Sequence, residues 1–597
     1  MLRVCMSFWE SSPTMKPAKK TVLVLLVTLL ASLVWGSDQK LAPDVKADDS
    51  TDLVNVIVQF KQAPGEQHKD KIRAKGGSVY SDLSLVKALS GKLPANRVRE
   101  LANDPDVAYI SPDRPLQGTA TTTDFYDQAV NAPSAWAKGL NGIGIGVAVI
   151  DSGISSSNDL QQTNGQLFGQ LFGQQSQSVV YSQNFNTSSA TTNDLYGHGT
   201  HVAGIIAGNG TNSDCNGCTI TFLGIAQNVS LINLRVLDQN GMATDSEVIN
   251  AIQAAISLKS RYNIRVINLS LGRPVYESYT LDPLCQAVEQ AWKAGIVVVV
   301  AAGNYGRNNF ASNDGYGTIT APGNDPYVIT VGAMRPMGTP TRSDDLIATY
   351  SSKGPTLFDY VVKPDIVAPG NMVISVLAST SSTLYTQYPG NAIPQSYYDG
   401  GSSSTNLPLS YYMLSGTSMA TPVVSGTVAL TLQQNPWLTP DQVKARLMKT
   451  AYKTFPSYSS YTDPSTGITY TDQYDIFTIG AGYLDIQAAL SSMDVAPAGL
   501  AATSPIATFD PASQSVYFVS NTSAVWGSSA VWSSSAVWGS SVFVGSQSAV
   551  WGSSAVWGSS AVWGSSAVWG SSAVWGSSAV WGSSNTQAES VAINGEN

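Results

Sequence analysis

Ile296-Val297-Val298-Val299-Val300-Ala301 is an apolar run with no polar alternation. A strand with one wet face alternates polar and apolar side chains, so an unbroken run belongs to a strand covered on both faces. Short runs of this kind recur at Val147–Ile150, Ser230–Val236, Val266–Leu269 and Val328–Val331. Helical patterns separate them; in Thr244–Ser257, for instance, Val248, Ile249, Ile252 and Ile256 share one face. Thr439-Pro440-Asp441-Gln442 opens a late helix with an N-cap and a proline after it. Doubly covered strands alternating with helices predict an α/β domain, a parallel sheet with helices on both faces, over residues 124–492.

Upstream, residues 53–116 follow another pattern. Val54–Phe60, Ser78–Ser81, Leu85–Leu89 and Val107–Ser111 read as strands, Gly65–Lys75 and Pro94–Asn103 as helices. The order β-α-β-β-α-β predicts a ferredoxin-like α+β unit, which by itself specifies no function. Residues 37–52 read as a polar linker. Lys16, Lys19 and Lys20 precede the apolar stretch 21–35, which is too short to span a bilayer. Residues 1–36 therefore read as a secretory signal peptide cleaved after Gly36, with an uncleaved anchor as the alternative.

Downstream, 493–522 reads as a linker, 523–584 as Ser-Ala-Val-Trp-Gly-Ser repeats and 585–597 as a C-terminal tail. Trp526, Trp532, Trp538, Trp551, Trp557, Trp563, Trp569, Trp575 and Trp581 fill the same slot. An even period of six puts successive Trp residues of an unbroken run of repeats on one side of an extended chain. Two readings stay open for this low-complexity Trp-repeat tail: a stacked β array that contacts a cell surface or self-associates, or a chain without regular structure.

At 597 residues the chain is long enough for several units. A formal net charge of −9 leaves nothing to neutralise a phosphate backbone, which excludes nucleic acid as a partner. Of four cysteines, Cys215 and Cys218 form a C-x-x-C in a polar loop and suit a small disulfide in an exported protein; Cys5 lies in the signal segment, and Cys285 reads as a buried small apolar residue. Without a second cysteine pair or spare histidines, zinc is unsupported.

The chain has three histidines. His68 sits among charges and reads as solvated. His198 and His201 lie in Gly197-His198-Gly199-Thr200-His201-Val202-Ala203-Gly204. Asp151 ends the run Val147–Ile150, where parallel sheets build their sites. Ser418 lies in Ser415-Gly416-Thr417-Ser418-Met419-Ala420-Thr421-Pro422, whose small residues admit a substrate carbonyl. A helix opening there would aim its amides at a developing negative charge.

Taken together, Asp151-Ser152-Gly153-Ile154, His198–Gly204 and Gly416–Pro422 resemble the three signature segments of the subtilase (S8) family of serine peptidases, in the chain order Asp, His, Ser. The resemblance covers about 53–490. It implies a subtilisin-like fold and a secreted serine endopeptidase working through an acyl-enzyme, with Ser418 as nucleophile, His198 as general base and Asp151 orienting the imidazole. His201 becomes structural. Ala301-Ala302-Gly303-Asn304 resembles the oxyanion-hole segment, so Asn304 would donate to the oxyanion. Ser270-Leu271-Gly272 would pair with substrate backbone, Ala301, Ala302 and Gly303 would form the other wall of the P1 pocket, and Thr320 would lie at its floor. With no carboxylate evident there, an uncharged P1 residue is expected. Asp194 reads as a helix-entry turn residue, with a preference for a basic P2 side chain as the alternative. Residues 53–116 resemble an inhibitor-type (I9) propeptide, an intramolecular inhibitor removed autocatalytically by a cut between Asp113 and Thr123.

Two departures stand out. The loop Asn209–Cys218 occupies the place of the family's calcium loop, and its ligands cannot be matched. No cofactor is required for the chemistry, and structural calcium is compatible with the resemblance but not assignable. An insertion at Leu377–Leu409 either rims the cleft or decorates the surface. The rival functional reading is a surface adhesion or assembly protein that displays the Trp repeats.

Overall fold

The computed structural model describes residues 40–113, 115–117, 125–161, 177–215, 217–308, 313–399, 409–464, 466–497, 499, 501–510, 515–518 and 595–596. The signal segment 1–36, residues 118–123 of the expected cleavage stretch, and the repeats 523–584 lie outside them. The chain divides into two compact units between Asp113 and Arg114.

The first unit is built from β1 (Leu53–Phe60), α1 (Glu66–Arg73), β2 (Ser78–Leu83), β3 (Ala88–Pro94), α2 (Ala95–Ala102) and β4 (Val107–Pro112). Its antiparallel sheet runs β2-β3-β1-β4. The third strand begins later than expected from Leu85–Leu89. Ser84–Val86 closes a 3₁₀ turn with Lys87 left-handed, so the apolar pair Leu85-Val86 belongs to the turn. His68, expected to be solvated, is buried instead. Its Nδ1 accepts from the Gly65 N–H at 2.9 Å and its ring lies 4.5 Å from that of Phe60. Three positions into α1, it reaches back to satisfy one of the amides a helix start leaves open. Leu41, Val45 and Ala47, inside the stretch read as a linker, pack on the core of Val56, Val58, Leu89, Leu93 and Ile110, so this stretch is not a free spacer.

The second unit opens with β5 (Pro115–Gln117) and centres on a sheet of β6 (Gly146–Asp151), β7 (Val179–Asn184), β8 (Ser230–Arg235), β10 (Ile264–Leu269), β11 (Val297–Ala301), β12 (Ile329–Arg335), β13 (Leu346–Ile347) and β14 (Ile366–Pro369). Its path is β13-β12-β11-β10-β6-β8-β7, with β14 also on β12; every pairing but β12–β13 is parallel. The five apolar runs supply β6, β8, β10, β11 and β12. After β6 the chain runs to the edge strand β7, returns through β8 between the two, and then crosses to β10 on the other side of β6. Such a reversal leaves a crevice at the carboxyl ends of the strands, here next to Asp151.

Between β9 (Met242–Thr244) and β10 runs α4 (Asp245–Tyr262), whose start is a capping box of Thr244 and Glu247. With α5 (Pro283–Lys293) it covers one side of the sheet. α3 (Gly199–Ala207) and α6 (Thr417–Gln434) cover the other. α6 is buried from Thr417 to Leu432, which is why its sequence carries no amphipathic stripe. α7 (Pro440–Thr450) starts at Thr439 as expected. β5 pairs antiparallel with β9, Leu116 opposite Ala243.

The stretch 493–522, read as a linker, is bound to this unit where it is described. Ser504 Oγ accepts from the buried Lys444 ammonium at 2.9 Å, and Ala507 N–H donates to the Tyr360 carbonyl. Buried polar groups need partners, and this segment supplies them. Cys215 and Cys218 form a disulfide; Cys285 is buried and reduced. Among the described residues no helix is long and apolar enough to cross a membrane.

Candidate active site

β6, β10 and β11 are neighbours, so Asp151, Ser270 and Ala301 all end up at one edge of the sheet. The Asp151 Oδ1 faces His198 Nδ1 at 2.7 Å, both side chains fully buried, and also accepts the Ser152 N–H at 2.7 Å. An imidazole whose Nδ1–H is committed to a carboxylate presents Nε2 as a base. His198 is the N-cap residue of α3. Asp194 holds that turn: its carboxylate accepts from Gly197 N–H at 2.6 Å, Thr200 N–H at 2.8 Å and Ser152 Oγ at 2.8 Å. It is buried, and burial pushes its carboxyl up, so it serves the helix entry and is not available to a basic P2 side chain.

His201, one turn on, is also buried. Its Nε2–H donates to the carbonyls of Val373 and Tyr412 at 3.1 Å each. Burial, with the nearby His198 second, lowers its pKa to about 3, which keeps it neutral and structural.

Ser418 stands in the first turn of α6, behind Gly416, whose φ of +128° is costly for any residue with a Cβ. Two of its atoms are tied to Ser270, at the end of β10. Ser418 Oγ donates to the Ser270 carbonyl at 3.1 Å, and Ser270 Oγ donates to the Ser418 carbonyl at 2.8 Å. The second bond has a specific origin. The Ser418 carbonyl would ordinarily accept the N–H four residues on, but that residue is Pro422, which has none. Ser270 replaces the missing donor. Asn268 Nδ2 donates to Ser270 Oγ at 3.0 Å, and Ser425 Oγ donates to Asn268 Oδ1 at 2.8 Å, closing a buried chain.

Ser270→Ala therefore strands a buried carbonyl, which should lower the stability by about 1–3 kcal/mol. On the role expected for Ser418 it should also lower kcat more than it changes KM, because the turn that carries Ser418 loses its anchor while the backbone of Ser270–Gly272 remains. Urea midpoints and steady-state kinetics check this, and an unchanged midpoint would mean that the carbonyl has another donor.

Asn304 lies beside this turn. Its Oδ1 accepts the Thr417 N–H at 2.9 Å and the Thr417 hydroxyl at 3.0 Å. A backbone donor demands an acceptor, so the amide orientation is fixed and Nδ2 points away from Thr417. Gly303 N–H donates to Thr417 Oγ1 at 3.1 Å. Ser270–Gly272 and Ala301–Gly303 run out from neighbouring strands, and Thr320 stands against both. A Cβ at Gly272 would come within 2.5 Å of Thr320 Oγ1, and one at Gly303 within 2.7 Å of Thr320 Cγ2. Leu271 and Ala302 are buried; the backbone is what these walls offer. Arg273, absent from the sequence reading, fixes the first wall. It is buried between Asp245 at 2.8 Å and Asp282 at 2.8 Å, at the starts of α4 and α5. Its only sequence signal, like that of Asn268, was a polar residue beside an apolar run.

The insertion after Leu377 packs beside the histidine motif where it is described: Thr383 and Leu384 N–H groups donate to the carbonyls of Leu195 and Tyr196. No metal site is assignable here. The Asp159 carboxylate, which faces the loop 209–218, accepts the Asn212 N–H at 2.7 Å and the Tyr411 hydroxyl at 2.5 Å. Asn209 Oδ1 accepts from Thr211. These side-chain oxygens face protein donors, and calcium stays compatible with the loop but not assignable. Among the described residues no group of three or more His, Cys, Asp or Glu is placed to hold a metal ion.

A family model described as "Subtilase family" matches residues 142–482. Serine protease AprX of Bacillus subtilis (strain 168) is 33% identical over 66% of this chain and 82% of its own. Subtilisin E of the same strain is 33% identical over 72% and 92%. Among solved structures, fervidolysin from Fervidobacterium pennivorans, a keratinolytic enzyme related to subtilisin, superposes with a TM-score of 0.50 at 21% identity, over 74% of this chain and 62% of that one. The last likeness concerns the fold alone.

Proposed function

This chain belongs to the subtilase family and is a serine endopeptidase acting on protein or peptide substrates; we propose that its chemistry runs through Ser418, His198 and Asp151. Ser418 Oγ attacks the scissile carbonyl while His198 Nε2 takes its proton. Asp151 holds the imidazole and stabilises the imidazolium. The carbonyl oxygen, now negative, accepts from Asn304 Nδ2 and the Ser418 N–H. Collapse of the tetrahedral adduct breaks the peptide bond, and the amine leaves with the proton from His198. Water, deprotonated by the same imidazole, then hydrolyses the acyl ester. The observation that carries this reading is the buried 2.7 Å Asp151–His198 contact at the strand edge that also holds Ser270 against Ser418.

Substrate backbone lies along Ser270–Gly272, and Ala301–Gly303 with Thr320 receive an uncharged P1 side chain. The first unit, followed by residues 115–117 added as a strand on β9, serves as an intramolecular inhibitor that the enzyme removes. Secretion is supported by the signal-like residues 1–36 and by the Cys215–Cys218 disulfide, which suits an oxidising compartment. Of the two functional readings, the endopeptidase is the one its relatives share.

The test is covalent. A sulfonyl fluoride should label Ser418 alone, found by mass spectrometry in the peptide around residues 415–422, with caseinolysis lost in proportion. Full labelling with activity retained, or a label on another serine, would refute the assignment.

A further inference from the structure

We propose that Arg307, Thr349 and Asn371 form a pocket that binds the Gly595–Glu596 segment of this chain and, by the same chemistry, an acidic peptide bearing Gly-Glu. Glu596 is buried, although it lies beyond the repeats and is distant in sequence from everything it touches. Its Oε1 accepts from Arg307 Nη2 at 2.9 Å, from the Thr349 N–H at 2.9 Å and from the Thr349 hydroxyl. Its backbone is read as well. Glu596 N–H donates to Asn371 Oδ1 at 3.1 Å, and Asn371 Nδ2 donates to the Glu596 carbonyl at 3.0 Å. One side-chain amide thus does what a neighbouring strand would do in a β ladder.

The pocket is selective at the preceding position too. Gly595 has a φ of +67°, and a Cβ there would come within 2.8 Å of Met372 Cγ and 3.2 Å of Ser415 Oγ. Nor is the pocket merely shaped by its occupant. Arg307 is held separately by Asp463 at 2.7 Å and Thr349 Oγ1 at 2.7 Å, and it sits 4.5 Å over the Tyr470 ring. A guanidinium fixed in this way is prepared for a carboxylate. Take the segment away, and the Thr349 N–H and the Asn371 amide lose partners that they need in a buried place.

The location gives the pocket consequence. Arg307 follows Asn304 on one loop. Asn371 and Ser415 flank Gly370 and Gly416, whose backbone bond of 2.7 Å fixes the turn that delivers Ser418. An occupant braces both loops. Described residues on both sequence sides of the repeats thus pack on the second unit, Ile506 bridging to Val361 and Glu596 meeting Arg307.

The experiment uses the full-length chain carrying Glu596→Ala in a Ser418→Ala background, which blocks self-cleavage, and a fluorescent peptide of residues 589–597. Anisotropy should show saturable binding. The same peptide with Glu596→Gln, or with Gly595→Ala, should bind at least tenfold more weakly. A chain with native Glu596 should bind the native peptide at least tenfold more weakly than the Glu596→Ala chain, since its own segment fills the pocket. Arg307→Ala should abolish binding; should that variant fail to fold, the peptide changes still decide, because they leave the pocket intact. No saturable binding, or equal affinity for the Glu and Gln peptides, would overturn the proposal.

Discussion

Ser418→Ala should leave an unprocessed precursor and lower kcat/KM on a peptide substrate by about 10⁶, the magnitude seen for the corresponding group in subtilisin itself. The hydroxyl is the only atom the substitution removes from the proposed attack path. Gly416, Thr417 and the Ser270 donor to the 418 carbonyl all stay, so the helix start and Asn304 are preserved. With the first unit cut away by a protease added in trans, KM should move little, because the walls Ser270–Gly272 and Ala301–Gly303 are untouched. Residual turnover above water, from the oxyanion donors and binding alone, is on the order of 10³–10⁴. Precursor that matures and cleaves at the native rate would mean that another serine is the nucleophile. Thermal melts of variant and parent, both with the first unit removed in trans, should match, which separates lost chemistry from lost folding.

Asp151→Asn should keep the fold and lower kcat by about 10⁴. The two oxygens of Asp151 have different surroundings. Oδ1 takes both the Ser152 N–H and His198 Nδ1, whereas Oδ2 is buried without a hydrogen-bond partner. An asparagine that kept its oxygen on His198 would bury an unsatisfied NH₂ group at the second position. Turning the amide over gives that NH₂ to His198 Nδ1, which must then be the acceptor. Nε2 becomes the protonated nitrogen and can no longer serve as base. The rate should recover partly as pH rises, where hydroxide takes the proton without the imidazole. A variant with near-parental kcat at neutral pH would show that the carboxylate does not set the tautomer.

From the sequence alone came the sheet and its covering helices, because burial of a strand or a helix face is written into the local order of side chains. The runs at Val147–Ile150 and Ile296–Ala301 needed no partner to be read. The order Asp151, His198, Ser418 was legible too, though only as likeness to a family pattern. What local order cannot carry is which elements become neighbours. That β6 lies between β8 and β10, and so sets Asp151 beside the end that carries Ser270, was decided by the crossing of the chain. The same holds for polar pairs separated by long stretches: Ser270 replacing the donor that Pro422 lacks, Arg273 between two helix starts, His68 turned inward on Phe60, and Glu596 beneath Arg307. Each is a polar residue that looks exposed or incidental in sequence. Its burial is tolerable only because a distant donor or acceptor meets it, and tertiary structure alone supplies that partner.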